Sequence, residues 1–92
     1  MAATVSVPTI LRPYTDGARS VAADGDTLAA LIADLDARHP GLGGRLLDDD
    51  GALRRFVNVY VNDEDVRFLG GLATPLGDGD VITILPAVAG GA

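Results

Sequence analysis

The sequence predicts an α+β fold in which one main helix packs on a mixed β-sheet. Leu28, Leu31, Ile32 and Leu35 recur at i, i+3, i+4 and i+7, the apolar stripe of an amphipathic helix. Runs rich in Val and Ile flank that stripe, at residues 4–7, 56–61 and 81–86, with the composition of strands. The segment 72–80, where a second long helix would have to fall, is short and broken by Gly and Pro.

Thr4-Val5-Ser6-Val7 alternates polar and apolar, the period of a half-buried strand, and Pro8 marks its end or a sheet edge. Pro13-Tyr14-Thr15-Asp16-Gly17 has turn chemistry, and a short second strand over about residues 19–22 would complete a hairpin. Asp24-Gly25 turns the chain again, and Asp26 or Thr27 supplies the side-chain oxygen that caps the helix. The helix should stop near His39, because Pro40 and Gly41 follow. Residues 41–53 read as loop, with one turn of helix about residues 45–47. Phe56 to Val61 returns to strand, with Val57, Val59 and Val61 on one face. Residues 62–65 are a turn, 66–69 a short strand, and Gly70-Gly71 breaks the chain. A further turn region ends at Asp80, and in the last strand Ile82 and Ile84 point one way.

The order is therefore β-β-α-β-β-β. A single helix against one face of a sheet buries both apolar surfaces at once, and the β-grasp (ubiquitin-like) fold satisfies this order. Its first and last strands are parallel and central, so the chain would leave the sheet from its middle. A ferredoxin-like alternative needs the second long helix that is missing. Residues 1–87 are expected to form the domain and residues 88–92 a flexible Gly-Gly tail.

At 92 residues the chain is one domain, a size that buries roughly 60–65% of its unfolded surface. That allows one modest core but not a deep cavity with a lid. The content, 48% apolar and 22% charged, is that of an ordinary globule. No run approaches the roughly 18 apolar residues of a membrane span, and residues 1–4 lack the features of a signal peptide. The expected location is the cytoplasm. A net charge of −6 opposes nucleic acid and anionic membranes, so a basic protein surface is the better partner. With no cysteine, disulfides, thiolate metal sites and a cysteine nucleophile are excluded. All seven cations are arginines, which excludes a lysine Schiff base and a Walker-type phosphate clamp.

Several fragments begin a functional motif without completing it. Gly41-Leu42-Gly43-Gly44 starts like a dinucleotide loop, but Leu46 stands in place of the third glycine and no strand precedes it. Asp48-Asp49-Asp50-Gly51 lacks the alternating ligands and terminal Glu of a calcium loop and reads as a solvated acidic turn. Asp24-Gly25-Asp26 and Asp78-Gly79-Asp80 read as turn and capping residues. His39, the one histidine, falls at a helix C-terminus, where a cation suits the macrodipole. The domain is thus expected to be no enzyme, to bind no metal, and to have no catalytic residues of its own.

The tail is different. Gly has no Cβ, so Val88, Ala89 and Gly90 could thread a narrow tunnel ahead of Gly91. Residues 87–91, extended at ~3.3 Å each, reach about 16 Å, enough to cross the wall of a partner's active site. A carboxylate is a poor electrophile until ATP adenylates it in such a site. Attack by sulfur on the mixed anhydride then gives a thiocarboxylate; attack by an amine gives an amide.

Thr74-Pro75-Leu76-Gly77-Asp78-Gly79-Asp80, the apolar strand and Pro86-Ala87-Val88-Ala89-Gly90-Gly91 resemble the C-terminal signature of the ThiS/MoaD family. Two further blocks are more specific and resemble its actinobacterial branch serving cysteine biosynthesis. These are Val5-Ser6-Val7-Pro8-Thr9-Ile10-Leu11-Arg12-Pro13 and residues 56–68 followed by Gly70-Gly71-Leu72-Ala73-Thr74. The resemblance spans nearly the whole chain and is weakest over residues 38–53. It implies a β-grasp sulfur carrier without a bound cofactor, whose Gly91 is adenylated and thiocarboxylated by a ubiquitin-activating-like adenylyltransferase/sulfurtransferase using ATP. It implies delivery to a PLP cysteine synthase or another sulfur-incorporating synthase, such as one forming a thiosugar.

Ala92 departs from the mature pattern. A pro-form cut between Gly91 and Ala92 by a JAMM-type metalloprotease would explain it; a tolerated or extraneous residue would as well. With Val57, Val59, Val61, Ile82 and Ile84 toward the helix, Phe56, Tyr60 and Leu85 fall on the open sheet face. Exposed aromatics beside aliphatics suit partner docking, unless a loop or a second copy covers them. Two further functions stay open: a ubiquitin-like modifier joined through Gly91 to lysines, and a binding module with an inert tail.

Overall fold

The computed structural model describes residues 2–55 and 57–86. Strands β1 (Ala2–Ser6), β2 (Ser20–Asp24), β3 (Val57–Val61), β4 (Glu64–Asp65) and β5 (Val81–Pro86) form one sheet in the order β2-β1-β5-β3-β4. β1 and β5 run parallel, with Val5 beside Ile82, and β5 sits in the middle of the sheet. β3 is antiparallel to β5 in a register that pairs Val57 with Pro86 and Val59 with Ile84. This is the mixed sheet of the expected β-grasp.

Helix α1 (Leu28–Arg38) lies across one face. Thr27, not Asp26, is its cap: the Thr27 hydroxyl accepts the Ala30 N–H at 3.2 Å. The stripe Leu28, Leu31, Ile32 and Leu35 is buried, and so are Val57, Val59, Val61, Ile82 and Ile84 opposite it. The helix ends at His39, whose N–H reaches the Leu35 carbonyl. Gly25 is needed for closeness rather than for a turn. A Cβ there would collide with the backbone of Ala30 and Leu31, because β2 hands the chain directly onto the helix.

Four local readings shift. The second strand runs over Ser20–Asp24, later than the expected 19–22. The Pro13 turn is the end of a 3₁₀ helix, Thr9–Thr15, closed by Asp16 and Gly17 at φ 55° and 86°. The fixed φ of proline suits 3₁₀ geometry, and the Thr15 hydroxyl ties the turn to the carbonyls of Arg12 and Ala18. The helical turn near Arg45 is α2 (Leu42–Leu46). Residues 66–69 are not a strand: Glu64–Asp65 pairs with β3, and Val66–Phe68 is 3₁₀. The Asp65 carboxylate accepts the Arg67 N–H at 2.9 Å, a local bond that bends the backbone out of the ladder.

Candidate functional site

β5 leads to the tail, and its start is anchored on both sides. The Asp80 carbonyl accepts the Thr4 N–H at 3.0 Å, the Gly79 N–H donates to the Ala2 carbonyl at 3.0 Å, and the Asp78 carboxylate accepts the Ala2 N–H at 3.2 Å. On the other side the Val81 N–H donates to Asn62 Oδ1 at 3.0 Å, and the Asn62 N–H donates to the Val81 carbonyl at 2.9 Å. The Asp80 carboxylate accepts the Gly77 N–H at 2.7 Å and the Asn62 side-chain amide at 3.0 Å. These bonds, the backbone one foremost, hold its pKa below the ordinary 3.8. The Asp-Gly-Asp segment is therefore structural, and it joins β1, β3 and β5 at one node.

The face of the sheet away from α1 is open. Asn58 and Tyr60 on β3 lie beside Leu85 and Thr83 on β5. Tyr60 is half-buried, while Leu85 and Val81 are 47% and 45% exposed. Phe56 lies outside the described residues, as do Val88, Ala89, Gly90, Gly91 and Ala92. The structure thus brings together two members of the expected docking patch, Tyr60 and Leu85.

Sequence reasoning missed two residues that follow β4. The Arg67 guanidinium donates to Asn58 Oδ1 at 2.6 Å and to the Val57 carbonyl at 3.1 Å. β4 is too short to cover this stretch of β3, and Arg67 satisfies the edge in its place. Phe68 is 87% exposed. As part of a strand it would share the buried side of Val66; at three residues per turn it rotates outward. The signal was present in the Asp65-Val66-Arg67 turn chemistry.

The incomplete motifs are accounted for by local bonding. The N–H groups of Gly41 and Gly43, which a phosphate would need, donate to Asp36 Oδ1 at 3.2 and 3.0 Å. Asp48 Oδ1 accepts the N–H groups of Asp50 and Ala52, a self-contained acidic turn. Among the described residues no cluster of three or more His, Asp or Glu could hold a metal. No helix there is long and apolar enough to cross a membrane.

The model of the ThiS family matches residues 5–91. The chain belongs to the ThiS family. It is 64% identical over 93 residues to the sulfur carrier protein CysO of Mycobacterium tuberculosis, covering 99% of this chain and all of that protein. The crystal structure of that protein superposes with a TM-score of 0.90, covering 94% of this chain and 99% of the other. The BexX/CysO complex of Amycolatopsis orientalis contains a chain 57% identical, with a TM-score of 0.90 over 97% of this chain and 99% of that one. Small archaeal modifier protein 3 of Haloferax volcanii is 43% identical over 68 residues, 74% of this chain and 73% of that protein. Similarity to CysO along the whole length makes the β-grasp fold and the ThiS family membership of this chain two sides of one finding.

Proposed function

We propose that this chain is a sulfur carrier whose reactive group is its own C-terminal carboxylate at Gly91. One structural observation carries the reading. The last strand is the central one, bonded on both sides, and Gly90-Gly91 follow it in the sequence. A strand so held presents its continuation from a rigid base, which lowers the entropy lost when a partner captures it. The full-length likeness to a sulfur carrier protein supports it.

The chemistry takes place in partners. A ubiquitin-activating-like enzyme directs the Gly91 carboxylate onto the α-phosphate of ATP, and pyrophosphate leaves. A sulfur nucleophile then attacks the acyl carbon and expels AMP, leaving the thiocarboxylate. The terminal sulfur next attacks an electrophilic carbon held by a PLP cysteine synthase or another sulfur-incorporating synthase. Cleavage of the acyl–sulfur bond by water returns the carboxylate. Val88, Ala89 and Gly90 thread the tunnel, and Phe56, Tyr60 and Leu85 dock the body. Ala92 would be removed first, by hydrolysis of the Gly91–Ala92 bond in a JAMM-type metalloprotease.

The chain ending at Gly91, incubated with its activating enzyme, ATP and sulfide, is expected to gain the mass of one sulfur less one oxygen. Deletion of Gly90 and Gly91 should abolish both that gain and sulfur delivery, and sulfur delivery by the deleted chain would overturn the reading. The likeness to an archaeal modifier favours a second reading, conjugation through Gly91 to lysines. Higher-mass adducts resistant to thiols and hydroxylamine would identify it.

A further inference from the structure

A second concave surface lies on the helix side of the molecule, away from the open sheet face. Ala29 and Ala33, one turn apart on α1, and Leu47, just after α2, floor an open groove of about 350 Å³. Ile32, 2% exposed, also lines it from the core. Gly44 belongs to the wall, and the fold does not call for glycine there. It sits inside α2 without a positive φ, and a Cβ on it would meet nothing within 4 Å. Gly43 beside it is different, because its Cβ would lie 2.8 Å from that of Asp36. A helical glycine costs stability relative to alanine, so Gly44 keeps the groove open at a small loss to the fold.

The rim is acidic. Asp36, Asp48 and Asp49 border the groove against one cation, Arg54, whose Nε is committed to the Gly44 carbonyl at 2.9 Å. Asp36 Oδ1 accepts two backbone N–H groups at 3.2 and 3.0 Å, and Asp48 Oδ1 accepts two at 2.9 and 3.1 Å. Among the described residues none of the three carboxylates forms an ion pair. A carboxylate held through one oxygen presents the other with little further ordering. The groove therefore sets an apolar floor between fixed acceptors, and the net charge of −6 adds to its attraction for a cation.

We propose that this groove docks a basic segment of a partner protein, seating an aliphatic side chain between α1 and α2 while flanking Lys or Arg side chains pair with Asp36, Asp48 and Asp49. The apolar anchor supplies the burial, and the acidic rim selects against neutral and acidic segments. The groove and the open sheet face lie on opposite sides of the molecule. A carrier docked through Tyr60 and Leu85 would therefore leave the groove accessible to a second protein. That last consequence rests on the proposed function; the docking site itself does not.

The full-length chain, isotope-labelled and titrated with the synthetic peptide Lys-Arg-Leu-Leu-Arg-Lys, tests this by NMR with no sulfur chemistry involved. The amides of Ala33, Gly44 and Asp49 should shift together, while those of Tyr60 and Leu85 stay in place. Control peptides with Glu for the basic residues, or with Ser for leucine, should leave all of them unmoved. G44L fills the groove where a side chain has room. It should weaken binding at least about ten-fold, the loss of an anchor contact, without lowering stability in urea. D49N should weaken binding about two- to five-fold, the scale of an exposed ion pair, and E64Q, on β4, should have no effect. Amide dispersion reports the fold of each variant. Equal affinity in wild type and G44L would overturn the proposal. So would shifts centred on Tyr60 and Leu85, binding by a control peptide, or no binding of the leucine peptide. Equal losses in D49N and E64Q would also overturn it, since they would reduce the effect to net charge.

Discussion

Asp80 accepts two hydrogen bonds in its charged form, from the Gly77 N–H and the Asn62 amide. Its pKa in the folded chain is lowered from 3.8, so the stability it contributes is present above that value and lost as pH falls through the folded value. Asp80→Asn should therefore lower the melting temperature at neutral pH, and the gap to wild type should close in acid. Thermal melts from neutral pH downward check this; a gap that stays constant with pH would mean the carboxylate's charge is irrelevant. The sequence allowed the residue types here to be read as turn and capping chemistry. It could not give their partners, since Asp78 bonds the N–H of Ala2, 76 positions away. The same limit left Asp26 and Thr27 as equal candidates for the cap; in the fold the Thr27 carbonyl accepts the Leu31 N–H at 2.9 Å, while the Asp26 carbonyl takes the distant Leu76 N–H at 2.9 Å.

Helix α1 was legible almost to the residue, because four leucine and isoleucine positions at helical spacing leave one solution for burying them. Leu31 is completely buried, and Leu31→Ala should cost about 2–5 kcal/mol in urea unfolding. The 3₁₀ segment Val66–Phe68 was misread as strand, since two apolar residues flanking a charged one fit both periods. Exposure now separates the two residues. Phe68→Ser should change stability by no more than about 0.5 kcal/mol, whereas Val66, fully buried, should not tolerate Ser. If Phe68→Ser proved as costly as Leu31→Ala, the outward placement of Phe68 would be wrong.

Across the whole molecule the two faces of the sheet differ: one buries α1, and the other, which carries Tyr60 and Leu85, is the proposed docking surface. Tyr60→Asp puts a charge in the middle of the open face, beside Thr83, while leaving the core untouched. It is expected to raise the KM of the activating enzyme for the carrier at least about ten-fold, the loss of one good interface contact, and to lower stability in urea modestly, because the new carboxylate faces Asp65 on β4. Unaltered KM would remove Tyr60 from the docking surface. Much of this architecture followed from the sequence by itself. The helical stripe, the alternating strands, the Gly-Gly terminus and the absence of cysteine and lysine each limit what the chain can be. Those features are local or compositional, so a linear reading captures them. Only the tertiary structure placed Arg67 over the bare edge of β3 and turned Phe68 outward. Each of these depends on which strands become neighbours, and that is decided by burying both apolar faces together rather than by any period along the chain.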